Sequence, residues 1–356
     1  MGEENALDQD RLGALSLRVW RYKEGEAVTL MMHVGQRLGL YEAMAGRGPF
    51  TADELATATE LDARWVLEWL RGQVAAELVG SDDGDVFELD AEAAAVLADP
   101  ASPLFAGGAL TAPTPRAHVE GIVESFRTGR GMSYDDMGAE TAVTVEAMFA
   151  PRARHLLVPA VVPALDGVAE KLAAGARVAD VGCGTGLVIE LLAEAFPRSR
   201  FAGYDPSGHA IGLATDRFAG STQQVELVQA GADALPDDAG FDLVLAFDCL
   251  HDMPRPQEAL VAIRRSMHDD GTLLIKDIRC SPTFEGNRRN PVLALMYATS
   301  VSTCLGSATS EPGGAGLGTL GLHPDAAAEM TRHAGFTRFE IHQFDDPVNL
   351  YYEVRP

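Results

Sequence analysis

One segment constrains the fold of this chain more than any other: Val178-Ala179-Asp180-Val181-Gly182-Cys183-Gly184-Thr185-Gly186, followed at once by the apolar run 187–195. A short apolar stretch that ends in alternate glycines and runs into helical spacing reads as strand, tight turn, helix. Glycine is required there because the backbone turns sharply and a ligand approaches closer than a Cβ would permit. Amide groups at the start of such a helix can receive a carboxylate or lie beside a ribose.

The pattern around this turn extends it into a domain. Short apolar runs at 177–181, 200–204, 225–229, 241–247 and 271–277 alternate with helical stretches, which marks an α/β domain with a parallel sheet. Near the end, 324–334 reads as a helix and 337–344 and 348–354 as strands. Asp345-Asp346-Pro347 makes a turn between those two strands, so they are expected to form an antiparallel hairpin.

The first hundred residues read differently. Leu12, Leu15, Val19, Tyr22, Val28, Met31, Met32, Leu38 and Leu40 recur at helical spacing over 11–45, with Gly25, Gly35 and Gly39 as expected breaks. Thr51 with Glu54 three residues on is a capping-box pattern. A second helix is expected over 62–78, with Trp65, Val66, Trp69, Leu70 and Val74 on one face. Val79-Gly80 and Val86-Phe87-Glu88-Leu89 then flank Asp82-Asp83-Gly84 as a hairpin. Helix, turn, helix, hairpin is the order of a winged helix.

Charge decides what such a module can bind. The chain carries 52 acidic against 28 basic side chains, a formal charge of -24. Residues 51–89 hold only Arg64 and Arg71 against ten carboxylates, whereas phosphate contact needs Lys or Arg along the recognition helix and wing. No nucleic acid partner is expected; dimerisation is the better use for this region, and a homodimer is the expected state. The amino-terminal ten residues are acidic and the apolar runs are short, so neither a secretion signal nor a membrane span is read. Cys183, Cys249, Cys280 and Cys304 lack a CxxC pair, so spacing supports neither a zinc site nor a disulfide framework, and a reduced cytoplasm fits best. No metal is expected.

Three further motifs follow the glycine turn. Asp205, nineteen residues after Gly186 at the end of the second strand, can accept both hydroxyl protons of an adenosine ribose. Gly231-Ala232-Asp233-Ala234-Leu235-Pro236 follows the third strand, where a carboxylate can accept from an adenine amino group. Phe247-Asp248-Cys249-Leu250-His251-Asp252-Met253-Pro254 stands at the carboxyl end of the fourth strand, where ligands gather in open α/β sheets. His251 can remove a proton from a substrate hydroxyl, with Asp252 or Asp248 to orient it; the alternative is that it only shapes the pocket. A nicotinamide cofactor is disfavoured because Leu187 stands where the dinucleotide fingerprint needs Gly or Ala.

With these motifs in this order, residues 176–280 resemble the class I S-adenosylmethionine-dependent methyltransferases. The resemblance implies a Rossmann-like seven-stranded sheet with an antiparallel last strand. It implies that Asp180, Gly182, Cys183, Gly184 and Gly186 hold the methionine part of S-adenosylmethionine, Asp205 the ribose, Pro206 one face of adenine, and Asp233 with Ala234 its edge. Phe247 and Asp248 are counted with the cofactor wall. The whole chain further resembles an actinobacterial group in which a mainly helical, winged-helix-like dimerisation domain precedes this fold, as in small-molecule O-methyltransferases. His251-Asp252 is similar to their catalytic histidine segment, with Met253 in place of the usual Trp and Arg255 in place of the following acid.

The organisation expected is therefore a helical domain over 1–110, a connector that covers one side of the pocket over 111–170, and the cofactor domain over 171–356. Tyr134 from the connector and Met296, Tyr297 and Ser300 from an apolar helix at 290–305 are expected to wall the acceptor. The glycine-rich segment 310–321 is expected either to act as a lid or to be a flexible surface loop. Methyl transfer to a small-molecule hydroxyl with His251 as base is the leading expectation. N-, S- or C-methylation without a base, or a regulator that only senses the ligand, stay open.

Overall fold

A computed structural model describes residues 7–110, 113–237 and 239–356. The acidic residues 1–6 and the start of the connector at 111 and 112 lie outside the described residues. The chain divides into two compact units, 1–113 and 114–356.

In the first unit, Gln9–Arg37 is one continuous helix capped by Asp8. Of the three glycines expected to break it, only Gly39 does so, with φ +67. Gly25 and Gly35 stay helical. At Gly35 a Cβ would stand 2.4 Å from the Trp69 indole and 3.0 Å from the Tyr41 ring, so glycine serves close packing there, not a break. Trp69 cannot give way easily, because its Nε1 donates to the Met31 carbonyl at 2.9 Å. The Thr51–Glu54 capping box forms and starts helix Ala52–Thr59. The next helix, Ala63–Ala75, is capped by Asp62 and buries Val66, Trp69, Leu70 and Gln73. Trp65, expected on that face, is 80% exposed: it precedes the stripe by one residue, about 100° around the helix. The expected hairpin is reduced to one bridge, Gly80 with Glu88, while β2 (Val86–Phe87) pairs antiparallel with β1 (Phe50–Thr51).

The second unit is built on seven strands: β3 (Arg177–Val181), β4 (Arg200–Asp205), β5 (Val225–Gln229), β6 (Phe241–Phe247), β7 (Met267–Ile278), β8 (Arg338–His342) and β9 (Asn349–Arg355). Their order is β5-β4-β3-β6-β7-β9-β8. The five strands from β5 to β7 are parallel. The final hairpin is antiparallel as expected, with β9 inserted between β7 and β8. Apolar clusters cover both faces: Val244, Leu260 and Ile275 lie in one, Leu192, Leu245 and Leu274 in the other. Such double coverage explains why these strands read as near-continuous apolar runs. Strand order reverses between β3 and β6, so the loops that leave their carboxyl ends diverge and open a crevice.

Before the sheet, Arg116–Thr128, Tyr134–Met137 and Glu140–Leu156 are helices of this second unit. Pro151, Pro159 and Pro163 lie inside helical structure. The run continues through a π turn at Leu157–Val161 into Val162–Ala164. A wider turn is one way for a helix to absorb residues that lack an N–H. No described helix is long and apolar enough to cross a membrane.

Packing at the two mid-helix glycines separates their roles. Gly35→Ala is expected to cost about 1–3 kcal/mol by overpacking against Trp69. Gly25→Ala, where a Cβ would meet no atom within 4 Å, should stabilise by about 0.5–1 kcal/mol. Calorimetric unfolding of the full chain checks both; equal effects at the two positions would contradict the assignment.

Candidate functional site

The glycine turn is shaped by three left-handed residues, Gly182, Gly184 and Gly186, with φ +72, +54 and +82. The amides of Gly182 and Cys183 donate to the Tyr204 carbonyl at 2.8 and 3.1 Å, which holds the turn against β4. Parallel register then places Asp205, one residue beyond Tyr204, beside the turn. Its Oδ2 accepts from the Gly184 amide at 2.9 Å and its Oδ1 from the Ser207 amide at 2.8 Å. Burial raises this carboxyl, the Ser207 and Gly184 amides oppose the rise, and Asp135 adds to it. Asp180, at the end of β3, is 2% exposed, and burial with Asp205 nearby lifts it to about 8 against the pull of Lys276.

These residues border a cavity of about 610 Å³. Asp180, Gly182, Cys183, Gly184, Asp205, Pro206, Asp233, Phe247 and Asp248 line it, so nine of the expected cofactor residues share one wall system. Gly186 and Ala234 stand outside the lining: Gly186 caps the helix Leu187–Ala195, and Ala234 closes the short turn Ala232–Ala234. Of the expected acceptor residues, Tyr134 lines the cavity and Met296, Tyr297 and Ser300 do not. The helix that carries them is Leu293–Thr299 running into a π turn. Met296 is buried beside Asn290, Tyr297 is exposed, and Ser300 Oγ accepts from the Thr319 amide at 3.2 Å.

Glycine-rich residues 310–321 are held by specific packing. Ala315 donates to the Pro254 carbonyl at 2.8 Å, and a Cβ at Gly314 would meet the Ala308 carbonyl at 2.2 Å. From this segment only Glu311 reaches the cavity lining, and it pairs with Arg255 at 3.1 Å.

The pocket side expected from the connector comes from helix Glu140–Leu156, none of whose residues was singled out from the sequence. Ala142, Val145, Glu146, Phe149, Arg152 and Ala153 line the cavity at steps of three and four, a helical stripe that was legible but lay in a segment read as connector. Glu146 ties this wall to the turn, accepting from Thr185 and from Arg217 at 2.7 Å, while Arg217 also pairs with Glu190 at 2.8 Å. Lys276 was missed as well, although a lysine inside an apolar strand is itself a signal. Its Nζ pairs with the Asp248 carboxylate and lies 4.5 Å from the Phe149 ring centroid. Asn349 donates to the other Asp248 oxygen at 2.5 Å.

His251 is 3% exposed and does not line the cavity, but Asp252, the next residue, does. The His251 Nδ1 lies 2.8 Å from Asp277 Oδ1, and its Nε2 lies 3.0 Å from Asp252 Oδ1. Tyr134 donates its hydroxyl to the other oxygen of Asp252. Burial works against charge on the imidazole, yet Asp277 and Asp252 outweigh it and hold the ring well above its usual range. Asp277, on β7, had no place in the sequence expectations.

Residues 179–273 match a model described as a methyltransferase domain, and residues 26–99 one described as an Rv2258c-like winged HTH domain. The chain thus joins a winged helix-turn-helix domain to a methyltransferase domain. The tRNA U34 carboxymethyltransferase of Aeromonas hydrophila is 32% identical over 108 residues, which cover 30% of this chain and 33% of that protein. The chain spans less than half the length of the curated relatives it matches. Among solved structures, mitomycin 7-O-methyltransferase MmcR aligns with TM-score 0.65 and 21% identity over 98% of this chain and 99% of that one. Human N-acetylserotonin methyltransferase in complex with SAM aligns with TM-score 0.65 and 18% identity over 100% and 99%. At these identities the likeness is one of fold.

The raised Asp180 carboxyl has a consequence for stability. A carboxyl at about 8 when folded and 3.8 when unfolded binds its proton more tightly in the native state, so stability falls as pH rises between those values. Asp180→Asn should therefore raise the unfolding temperature of the ligand-free protein more at pH 8 than at pH 5, by roughly 2–4 °C for each kcal/mol recovered. An equal effect at both pH values would contradict the buried, proton-holding assignment.

Proposed function

We propose that this chain transfers a methyl group from S-adenosylmethionine to a small-molecule acceptor. The observation that carries the reading is the convergence of the glycine turn and Asp205 on one cavity that also reaches Tyr134 and Asp252. Each Asp205 oxygen accepts one backbone hydrogen bond, which leaves outer lone pairs for the two ribose hydroxyls. A Cβ on Gly184 would meet no protein atom within 4 Å, so the turn faces open space that a ligand can fill. The cavity volume falls within the usual range of about 300–1,000 Å³ for small-molecule sites. The residues present therefore fit this cofactor.

In that reading Asp205 takes the ribose, Pro206 packs on adenine, Asp233 receives its amino edge, and Asp180 with the glycine turn holds the methionine part. The bound cofactor supplies an electrophilic methyl on a sulfonium, a good leaving group. What remains for the protein is alignment and exclusion of water, to which the helix Glu140–Leu156 contributes one wall. Tyr134 and Asp252 border the acceptor end.

For a hydroxyl acceptor, His251 is the candidate base, and it can act only once it has released the proton that Asp277 and Asp252 hold on it. Both ring nitrogens lie against carboxylates, so His251 reaches an acceptor only if Asp252 shifts away from Nε2. That arrangement supports a second reading, in which an amine, thiol or carbon nucleophile is methylated with no base and His251 fixes the position of Asp252.

The first unit is read as a self-association module. Leu12, Leu15, Val19, Trp20 and Tyr22 are exposed on one helix, an apolar surface suited to a second copy of the chain. Both basic residues of the winged segment are already paired, Arg64 with Glu68 and Arg71 with Asp85, which weakens any phosphate contact further. The four free thiols suit a reducing compartment such as the cytoplasm.

Calorimetry with S-adenosylhomocysteine should give one site per chain, and Asp205→Ala should weaken it by about 1–3 kcal/mol, roughly 5- to 150-fold. Absence of binding to the folded wild type would reject the reading. On the first acceptor found to be methylated, His251→Ala should abolish turnover with S-adenosylhomocysteine affinity unchanged if His251 is the base. Retained turnover would remove that role.

A further inference from the structure

Spacing in the sequence gives no metal motif, yet the fold brings three ligand types together behind the acceptor end of the cavity. His251, on the short turn Leu250–Asp252, its neighbour Asp252, and Cys304, from the π turn Ser300–Cys304, are all buried. One ligand atom from each lies within 4.8 Å of the other two. We propose that His251, Asp252 and Cys304 form a binding site for a divalent cation of the zinc class, with Asp277 as the carboxylate that orients the histidine.

Three observations support the assignment. First, imidazole nitrogen, carboxylate oxygen and thiolate sulfur suit a borderline-soft ion, and calcium or magnesium would require oxygen ligands instead. Second, the Nδ1 contact to Asp277 at 2.8 Å is the arrangement that fixes the tautomer of a metal-ligating histidine and leaves Nε2 free to ligate. Third, Asp252 is 7% exposed, and its buried Oδ1 makes no hydrogen bond of good geometry, its close neighbour being the His251 Nε2 at 3.0 Å. An unpartnered buried carboxylate oxygen aimed into the cluster is costly unless a cation meets it.

Three protein ligands leave a fourth position, as in open zinc sites. The other candidate cluster among the described residues, Glu340, His342 and Glu353, is less suited, because Glu353 is already bonded to His342 and to Arg355 at 2.9 and 2.7 Å. The inference does not rest on the methyl-transfer reading: the ligand set stands whether or not the cavity takes S-adenosylmethionine. Where both hold, the filled site withdraws His251 from proton transfer, and zinc inhibits.

Cobalt(II) is the probe, added to the full-length protein after chelator treatment. One equivalent is expected to give a sulfur-to-cobalt charge-transfer band with visible bands of tetrahedral intensity. Cys304→Ser should lose the charge-transfer band, and Asp277→Asn should weaken cobalt binding about 10- to 100-fold. S-adenosylhomocysteine binding by the same variants reports separately on the cofactor reading and on folding. Should Cys304→Ser fail to fold, X-ray absorption of the zinc-loaded wild type decides, with one sulfur near 2.3 Å and nitrogen or oxygen ligands near about 2.0 Å expected. A spectrum without a thiolate band, a band that survives Cys304→Ser, or a zinc shell without sulfur would overturn the site.

Discussion

The hydrogen bond from the Gly184 amide to the Asp205 carboxylate joins the two parts on which the site depends. It can form only because β3 and β4 run parallel in a register that sets Val181 beside Tyr204, and because a left-handed residue turns the loop back toward β4. An L side chain at Gly184 would strain that conformation. The bond holds a half-buried carboxylate in one orientation at the cavity wall. The reversal of strand order between β3 and β6 then opens the crevice that the carboxylate faces.

Buried charge is unusually dense around this bond. Asp248 pairs with Lys276, Asp252 and Asp277 pair with His251, and Asp180 and Asp205 stand close enough to act on one another. Isolated, each carboxylate would protonate to avoid the cost of desolvation. Lys276 opposes the rise that burial imposes on Asp248, Asp277 pairs with His251 at 2.8 Å, and Asp180 is lifted to about 8. A cationic ligand beside Asp180 would favour its ionised form, as a neutral one of similar size would not. Helix Glu140–Leu156 closes the arrangement from above through Glu146 and Phe149, so the low-dielectric environment and the ligand wall are parts of the same packing.

How far the sequence reveals this depends on whether a residue acts through its neighbours in the chain or across the fold. The strands at 177–181, 225–229 and 241–247 are legible to the residue: burial imposes apolar runs on the first and third, the glycine turn marks the end of the first, and the edge strand 225–229 shows only a mixed pattern of apolar and polar residues. Asp205 and Asp233 are legible from their place after a strand. The contacts of Lys276 and Asp277 are not, because nothing local to β7 says which loop they meet. Met296, Tyr297 and Ser300 were misplaced for the same reason: an apolar helical stripe announces burial without naming the surface it packs against. Gly35 read as a break because glycine in a helix signals either weakness or close approach, and only the Trp69 ring resolves the two.

The central claim is that one adenosine lies between the glycine turn and the carboxylate on β4. Crystals grown with S-adenosylhomocysteine test it most directly. Density should place the ribose hydroxyls on Asp205 and the adenine against Pro206, with its amino edge at Asp233 and the sulfur facing Asp252. Density for the ligand at any other surface, with Asp205 left to solvent or to protein partners alone, would contradict the account.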